Sequence, residues 1–192
     1  MRRTVLALVF LLISVTYCVA QQPSLAETTN FLQAKIQGST VKGAAEGLGP
    51  DDCTYMVDVF IRFPQFEVSG CSVALTETIA RAVTAISPGC HTRGDPPVEE
   101  QKVHFSFKHL AIDSLLVSEA SARDFSIASW TVKAPYSYVQ LSFAEPVSEM
   151  TNGVEKTTNS WSVEVQDKEL AERLLKAFKH AAQLCGAKKE AF

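Results

Sequence analysis

The sequence predicts an α+β fold: a short N-terminal helix, a seven-stranded antiparallel barrel or sandwich, and a C-terminal helix that caps it. Three observations carry this. Apolar residues recur every three to four positions near both ends of the chain, they alternate every second position through the middle, and Gly- and Pro-bearing turns punctuate that middle.

The first twenty residues set the address. Arg2 and Arg3 precede an apolar run from Val5 to Val15, and a small residue, Ala20, stands before Gln21. That is the pattern of a secretory signal peptide cleaved after Ala20, and the run is short of the ~20 residues a membrane span needs. The expected organisation is therefore a leader over 1–20, a helix and loop over 21–52, and a strand-rich domain over 53–192 closed by the last helix. The product is expected to be secreted or periplasmic, with no stable membrane insertion after cleavage. The bulky Tyr17 before Cys18 argues against lipid anchoring there.

Cleavage takes the 192-residue chain to 172 residues, ample for one core. Losing Arg2 and Arg3 moves the formal charge from −3 to −5. An acidic chain without a basic stripe is a poor nucleic-acid binder, and it gains nothing from anionic lipid heads.

The elements follow in order. Ser24 and Glu27 form a capping box, and Leu25, Thr28, Leu32 and Ile36 share one helical face that stops at Gly38. Residues 38–52 are rich in Gly and polar side chains and read as a loop. Val57, Val59 and Ile61 alternate with Asp58, Phe60 and Arg62 in a strand ended by Pro64. A second strand, Phe66 to Ala80, carries Cys71, Val73 and Leu75 on one face; Ala80 to Ile86 reads equally as strand or helical turn. Residues 87–97 are loop. Further strands are expected at Val103–Leu110, Ser114–Ser118, Phe125–Ala134, Tyr138–Phe143 and Asn159–Val165, with the segment between Glu145 and Thr158 a hairpin connection of unusual length or a loop that frays. Asp167 caps the last helix, whose apolar face is Leu170, Leu174, Phe178, Ala181 and Cys185 with Leu175 and Leu184 beside it, and Gly186 ends it.

Four cysteines survive cleavage, and in an exported chain an even number favours two disulfides. Cys71 and Cys185 both lie on apolar faces directed at one interior, so they are expected to pair, leaving Cys53 with Cys90 beside loops. The competing reading is buried thiols behaving as small hydrophobes. No C-x-x-C spacing suggests a redox site or zinc knuckle.

Catalytic and metal-binding motifs are not found. His104 and His109 fall on opposite faces of one expected strand, His180 has no ligand partner one turn on, and His91 merely adjoins Cys90. G-x-S-x-G, H-E-x-x-H, P-loop and dinucleotide patterns are missing, so no catalytic, cofactor-binding or metal residue is assigned. Arg93, Gly94 and Asp95 spell an adhesive tripeptide, which reads first as a turn. Val98, Glu99 and Glu100 read as solvated surface.

The closing segment Ala171-x-Arg173-x-x-Lys176-Ala177-Phe178-x-His180-x-x-x-Leu184-Cys185-Gly186 resembles the tail of a group of uncharacterised secreted bacterial proteins. The resemblance implies an opening helix, a strand-rich middle with one cysteine, matched here by Cys71, and this final helix; it implies no activity. Seven strands followed by one helix is also similar in architecture to pleckstrin-homology-like barrels, a fold that hosts many roles. Such barrels that bind phosphoinositides need basic residues between the first two strands. Here that stretch is Phe63, Pro64, Gln65 and Phe66, with only Arg62 nearby. In such a barrel Trp130 and Trp161 would pack the core or mouth.

The functional expectation is a non-catalytic exported module that binds a protein or peptide along a sheet edge or loop face. The alternatives are a carrier of a small apolar ligand inside the barrel, and an enzyme with no recognisable motif.

Overall fold

A computed structural model describes residues 22–49, 51–92, 94–120 and 130–188 of the chain. Helix α1 (Leu25–Ile36) precedes strands β1 (Thr40–Leu48), β2 (Thr54–Ser69), β3 (Ser72–Ala85) and β4 (Glu99–Ser106). Two single 3-10 turns, Phe107–His109 and Ile112–Ser114, lead to β5 (Leu116–Glu119). Strands β6 (Trp130–Ala134), β7 (Ser137–Thr151) and β8 (Val154–Val165) follow, then helix α2 (Lys168–Leu184). All pairings are antiparallel, in the order β5-β7-β4-β3-β2-β1-β6, with β8 on β7. The sheet curls into a half-barrel flanked by the two helices, which is the α+β class the sequence predicts. No described helix is long and apolar enough to cross a membrane. The expected leader, residues 1–20, lies outside the described residues.

Both helices start as their sequences dictate. Glu27 N–H donates to the Ser24 hydroxyl while Ser24 N–H donates to the Glu27 carboxylate, completing the capping box. These bonds from Ser24 hold the Glu27 carboxyl below its usual range. At α2, Leu170 N–H donates to Asp167 at 2.7 Å. Its far end is a Schellman motif: Gly186 has φ +80°, Gly186 N–H reaches the Gln183 carbonyl and Ala187 N–H that of Ala182. Ala171, Leu174, Phe178, Ala181 and Ala182 form its buried stripe, whereas Leu184 points outward. Phe178 meets Phe66 and Phe107 with ring centroids 6.4 and 6.3 Å apart. These contacts seal α2 onto the sheet.

Eight strands are present among the described residues, not seven, and the corrections are instructive. Residues 40–48, expected as loop, form β1, whose inward positions are Val41, Gly43, Ala45 and Gly47. Small side chains hid the two-residue period. Pro64 does not end its strand: β2 runs through it by a register shift between Arg62 and Gln65, a bulge that tolerates the missing N–H. The expected Phe66–Ala80 strand is the end of β2, a Gly70-Cys71 turn and the start of β3. Strand β3 then continues through 80–85, resolving the strand-or-helix ambiguity. Strand β4 stops at Ser106, so Phe107 is buried from a 3-10 turn, and the strand expected from Ser114 starts at Leu116. Of the expected Phe125–Ala134 strand, 130–134 is β6 and 125–129 lies outside the described residues.

The largest departure is 145–158. The hairpin is there but its connection is short, and no loop frays: β7 and β8 pair through the segment to a two-residue turn, Asn152-Gly153, with φ of 50° and 82°. Both central residues at positive φ is the hairpin geometry that Asn-Gly favours. The register shifts once, between Ser142 and Val147.

Two side chains stand in for strands where the sheet would leave bare edges. Beyond Ile79, β4 no longer covers β3; there Asp95 accepts the Val83 N–H at 3.1 Å and Thr92 the Ala85 N–H at 3.2 Å. On β1, Gln166 accepts the Lys42 N–H and donates to the Lys42 carbonyl, bridging the end of β8 to β1.

Candidate functional site

Alternation along β3 continues past the core. Val73 and Leu75 are buried, and the next residues on that face are Glu77, Ile79 and Arg81. The register places Glu77 opposite Gln101 on β4, with Ile79 beside Ile61 and Arg81 beside Val59 on β2. Strand β7 adds Glu149, Tyr138 and Gln140, with Tyr136 just before it; β8 adds Ser160, Trp161, Ser162 and Glu164. Together they enclose a cavity of about 280 Å³. A second, of about 190 Å³, reaches Val59, Ile61, Ile79 and Arg81 and shares Glu77, Gln101, Tyr136, Ser162 and Glu164 with the first. The lining is thus polar and acidic, inside a shell that is otherwise apolar.

Three glutamates are buried here: Glu77 at 3 % exposure, Glu149 at 6 % and Glu164 at 6 %. Two have partners. Glu149 pairs with Lys156 at 2.9 Å and accepts the Thr151 hydroxyl, and Glu164 accepts the Ser162 hydroxyl. Arg81, the cation of the second cavity, pairs with Glu99 at 3.3 Å. Glu77 differs: it makes no hydrogen bond or ion pair with another described side chain and borders both cavities, with Arg81 on the same strand face. Burial, reinforced by the charges of Glu164, Glu99 and Glu149 against a lesser pull from Arg81, holds its carboxyl well above the usual range. The Trp161 indole N–H is likewise buried without an acceptor among the described residues. No set of three or more His, Cys, Asp or Glu among those residues is arranged to hold a metal ion.

The residues singled out in the sequence fall elsewhere. Cys71 bonds to Cys185 and Cys53 to Cys90, with Cα separations of 5.8 and 5.9 Å. Cys71 reaches Cys185 from the β2–β3 turn and not from a strand face. His91 is exposed beside a cysteine that has no thiol left. His104 lies on β4, but His109 ends a 3-10 turn and does not share that strand. His180 donates from Nε2 to the Pro23 carbonyl at 2.7 Å, tying α2 to the start of α1. Arg93 is outside the described residues; the Asp95 carboxylate is committed to the Val83 amide, which opposes an adhesive role. Glu99 is not simply solvated but half-buried against Arg81, whereas Glu100 pairs with Lys102 at the surface. Trp161 is buried at the cavity wall, and the Trp130 side chain lies outside the described part.

Sequence reasoning missed the glutamate cluster. The available signal was Glu77 in register with Val73 and Leu75, a carboxylate at an inward position of an otherwise apolar face. No protein-family model matches this chain, and no curated protein or solved structure matches it either.

Proposed function

We propose that this chain is an exported, non-catalytic binding module whose ligand is a small molecule held in the half-barrel cavity. The observation that carries the reading is Glu77, a buried carboxyl on the cavity wall with no hydrogen bond or ion pair to another described side chain. Buried polar groups are normally hydrogen-bonded, because leaving one unmade costs about 1–3 kcal/mol, more for a charged group. A cost retained in the centre of a concave, aromatic-walled cavity supports a ligand that meets it. The two disulfides accord with an oxidising compartment and so with export.

The same lining moves the reading away from an apolar cargo, which would leave Glu77 facing hydrocarbon in place of water. It also moves it away from a sheet-edge partner at β3, whose bare end Asp95 and Thr92 already cover. One observation favours a second reading. Glu77, whose carboxyl burial raises, and Glu164 line one cavity, and two carboxyls whose surroundings differ in this way form an acid–base pair suited to hydrolysis.

The test is native mass spectrometry of the purified protein after incubation with a small-molecule extract of its source cells. A discrete adduct lost in a cavity-filling Ser162→Trp variant that melts like the parent supports the module. No adduct in several extracts, with capture of a protein along the sheet instead, rejects it. Progressive conversion of the adduct to a product would select the acid–base reading.

A further inference from the structure

Resting on that reading, we infer that the cavity ligand is a single neutral sugar ring, its hydroxyls hydrogen-bonded to Glu77, Gln101, Gln140 and Ser160 and its C–H face set against the aromatic wall. The cavity gathers these side chains from four strands: Glu77 from β3, Gln101 from β4, Gln140 from β7 and Ser160 from β8. Register fixes their spacing. Gln101 lies opposite Glu77, while Tyr138 and Gln140 are two apart on β7 and Ser160 pairs with Ser142, the next residue of that face.

The chemistry these groups offer selects the ligand. Gln101, Tyr138, Gln140 and Ser160, like Glu77, make no side-chain hydrogen bond with another described side chain. An amide or a hydroxyl both donates and accepts, and so does a carboxyl in the neutral form that burial favours at Glu77. An ammonium only donates, and would leave the amide N–H and hydroxyl donors unmet. A carboxylate or phosphate only accepts, and would bring negative charge against the Glu77 and Glu149 carboxyls. An apolar guest meets none of these groups. A hydroxyl donates and accepts as they do, so a ligand bearing several hydroxyls matches them one for one.

Placement and size narrow it further. Polar groups arriving from four strands call for a ligand with polar groups around its perimeter, which a sugar ring carries and a flat amide does not. The lining also includes Tyr138 and Trp161, whose ring faces suit the positively polarised C–H groups of a sugar. A cavity of about 280 Å³ is at the lower end of ligand pockets, which run from about 300 to 1,000 Å³, and so holds one ring rather than a chain.

The experiment is titration calorimetry of the oxidised, leader-free protein with D-glucose, D-galactose and D-mannose, each beside its 2-amino analogue and its uronic acid as cationic and anionic counterparts. The expected result is saturable binding of at least one neutral sugar, with both charged counterparts at least tenfold weaker. Methyl glycosides of the bound sugar separate its sources: binding retained points to the end of a glycan, binding lost to the free sugar, and either supports the inference. Gln101→Leu and Gln140→Leu should each cut affinity roughly fivefold or more, melting curves showing which variants fold. Glu77→Gln keeps a neutral donor and acceptor in place and should stay within about threefold of the parent. Three outcomes would overturn the inference: no neutral sugar saturating, a charged counterpart binding as tightly, or both leucine variants binding like the parent. A tenfold loss in a folded Glu77→Gln protein would do so as well. An adduct of another chemical class in the mass-spectrometry test, with no sugar bound, would leave the binding module standing and remove this inference alone; no adduct and no sugar would remove both.

Discussion

The side-chain amide of Gln166 pairs with the backbone of Lys42 as a strand would: it accepts the Lys42 N–H at 3.1 Å and donates to the Lys42 carbonyl at 3.3 Å. These residues lie 124 positions apart, one just past β8 and one on β1. The pair therefore ties the last strand to the first along the part of β1 that β6 leaves uncovered.

Gln166→Leu removes both bonds, and Gln166→Glu removes the donor while setting a carboxylate against a carbonyl. Each variant should lose on the order of 1 kcal/mol, since exposed hydrogen bonds contribute ~0.5–1.5 kcal/mol net, or a few degrees of melting temperature at this chain length. Urea titration of the three proteins checks it; unchanged midpoints would mean the β1–β8 tie carries no stability.

Phe178 is wholly buried among Phe66, Phe107 and Leu174, so Phe178→Ala should cost about 3–5 kcal/mol through lost transfer energy and a residual cavity. Leu184, two turns on but outward-facing, is the control: Leu184→Ala should stay within ~0.5 kcal/mol. Equal losses in chemical denaturation would show that α2 is not seated as described.

The Glu77 carboxyl is raised in the folded state, so its protonated form is the one that folding favours. Its contribution is complete below the unfolded value, near 4.5, and is lost as pH climbs through the raised folded value. Glu77→Gln should accordingly be no more stable than the parent at pH 4 and increasingly more stable above pH 5. Glu27 has the opposite sign: its lowered carboxyl supports the fold at neutral pH and loses that effect as pH falls below 4.5. Melting temperatures across pH 3–8 for the parent and Glu77→Gln decide this, and parallel curves would contradict it.

The two disulfides differ in the loop they close. Cys71 and Cys185 are separated by 114 residues and Cys53 and Cys90 by 37, which the chain-entropy account converts to roughly 5 and 4 kcal/mol. Cys71→Ala should therefore lower stability by about 2–5 kcal/mol, and more than Cys90→Ala does. Intact mass with and without reductant counts the bridges first. A Cys71→Ala protein melting with the parent would show that the long bridge does not stabilise the fold.

The ends of this chain were legible and its polar interior was not. Ser24, Glu27, Asp167 and Gly186 act locally through hydrogen bonds and φ, so their roles can be read from a few neighbours. Val57, Val59 and Ile61 announce β2 because one face is oily and the other is not. The same logic fails for β1, where Gly43, Ala45 and Gly47 carry too little apolar surface to mark an inward face. It fails again over 145–158, where the inward residues are Val147 and the charged Glu149, and the neighbours Ser148, Glu155, Lys156 and Thr157 are polar as well. The glutamate cavity was missed for that reason. It joins Glu77, Glu149 and Glu164 from three strands, and only the register brings them together.

Cys71 sits at the tip of the β2–β3 hairpin, while Cys53 and Cys90 flank its base, where Ile86 N–H reaches the Thr54 carbonyl. Paired strands of this length hold tip and base on the order of 45 Å apart, at about 3.3 Å per residue. Once the hairpin has zipped, the tip sulfur is out of reach of the two at the base, so Cys71 cannot cross-link to Cys53 or Cys90. The two bridges thus clamp opposite ends of one hairpin: Cys53–Cys90 holds its base, and Cys71–Cys185 pins its tip to the end of α2.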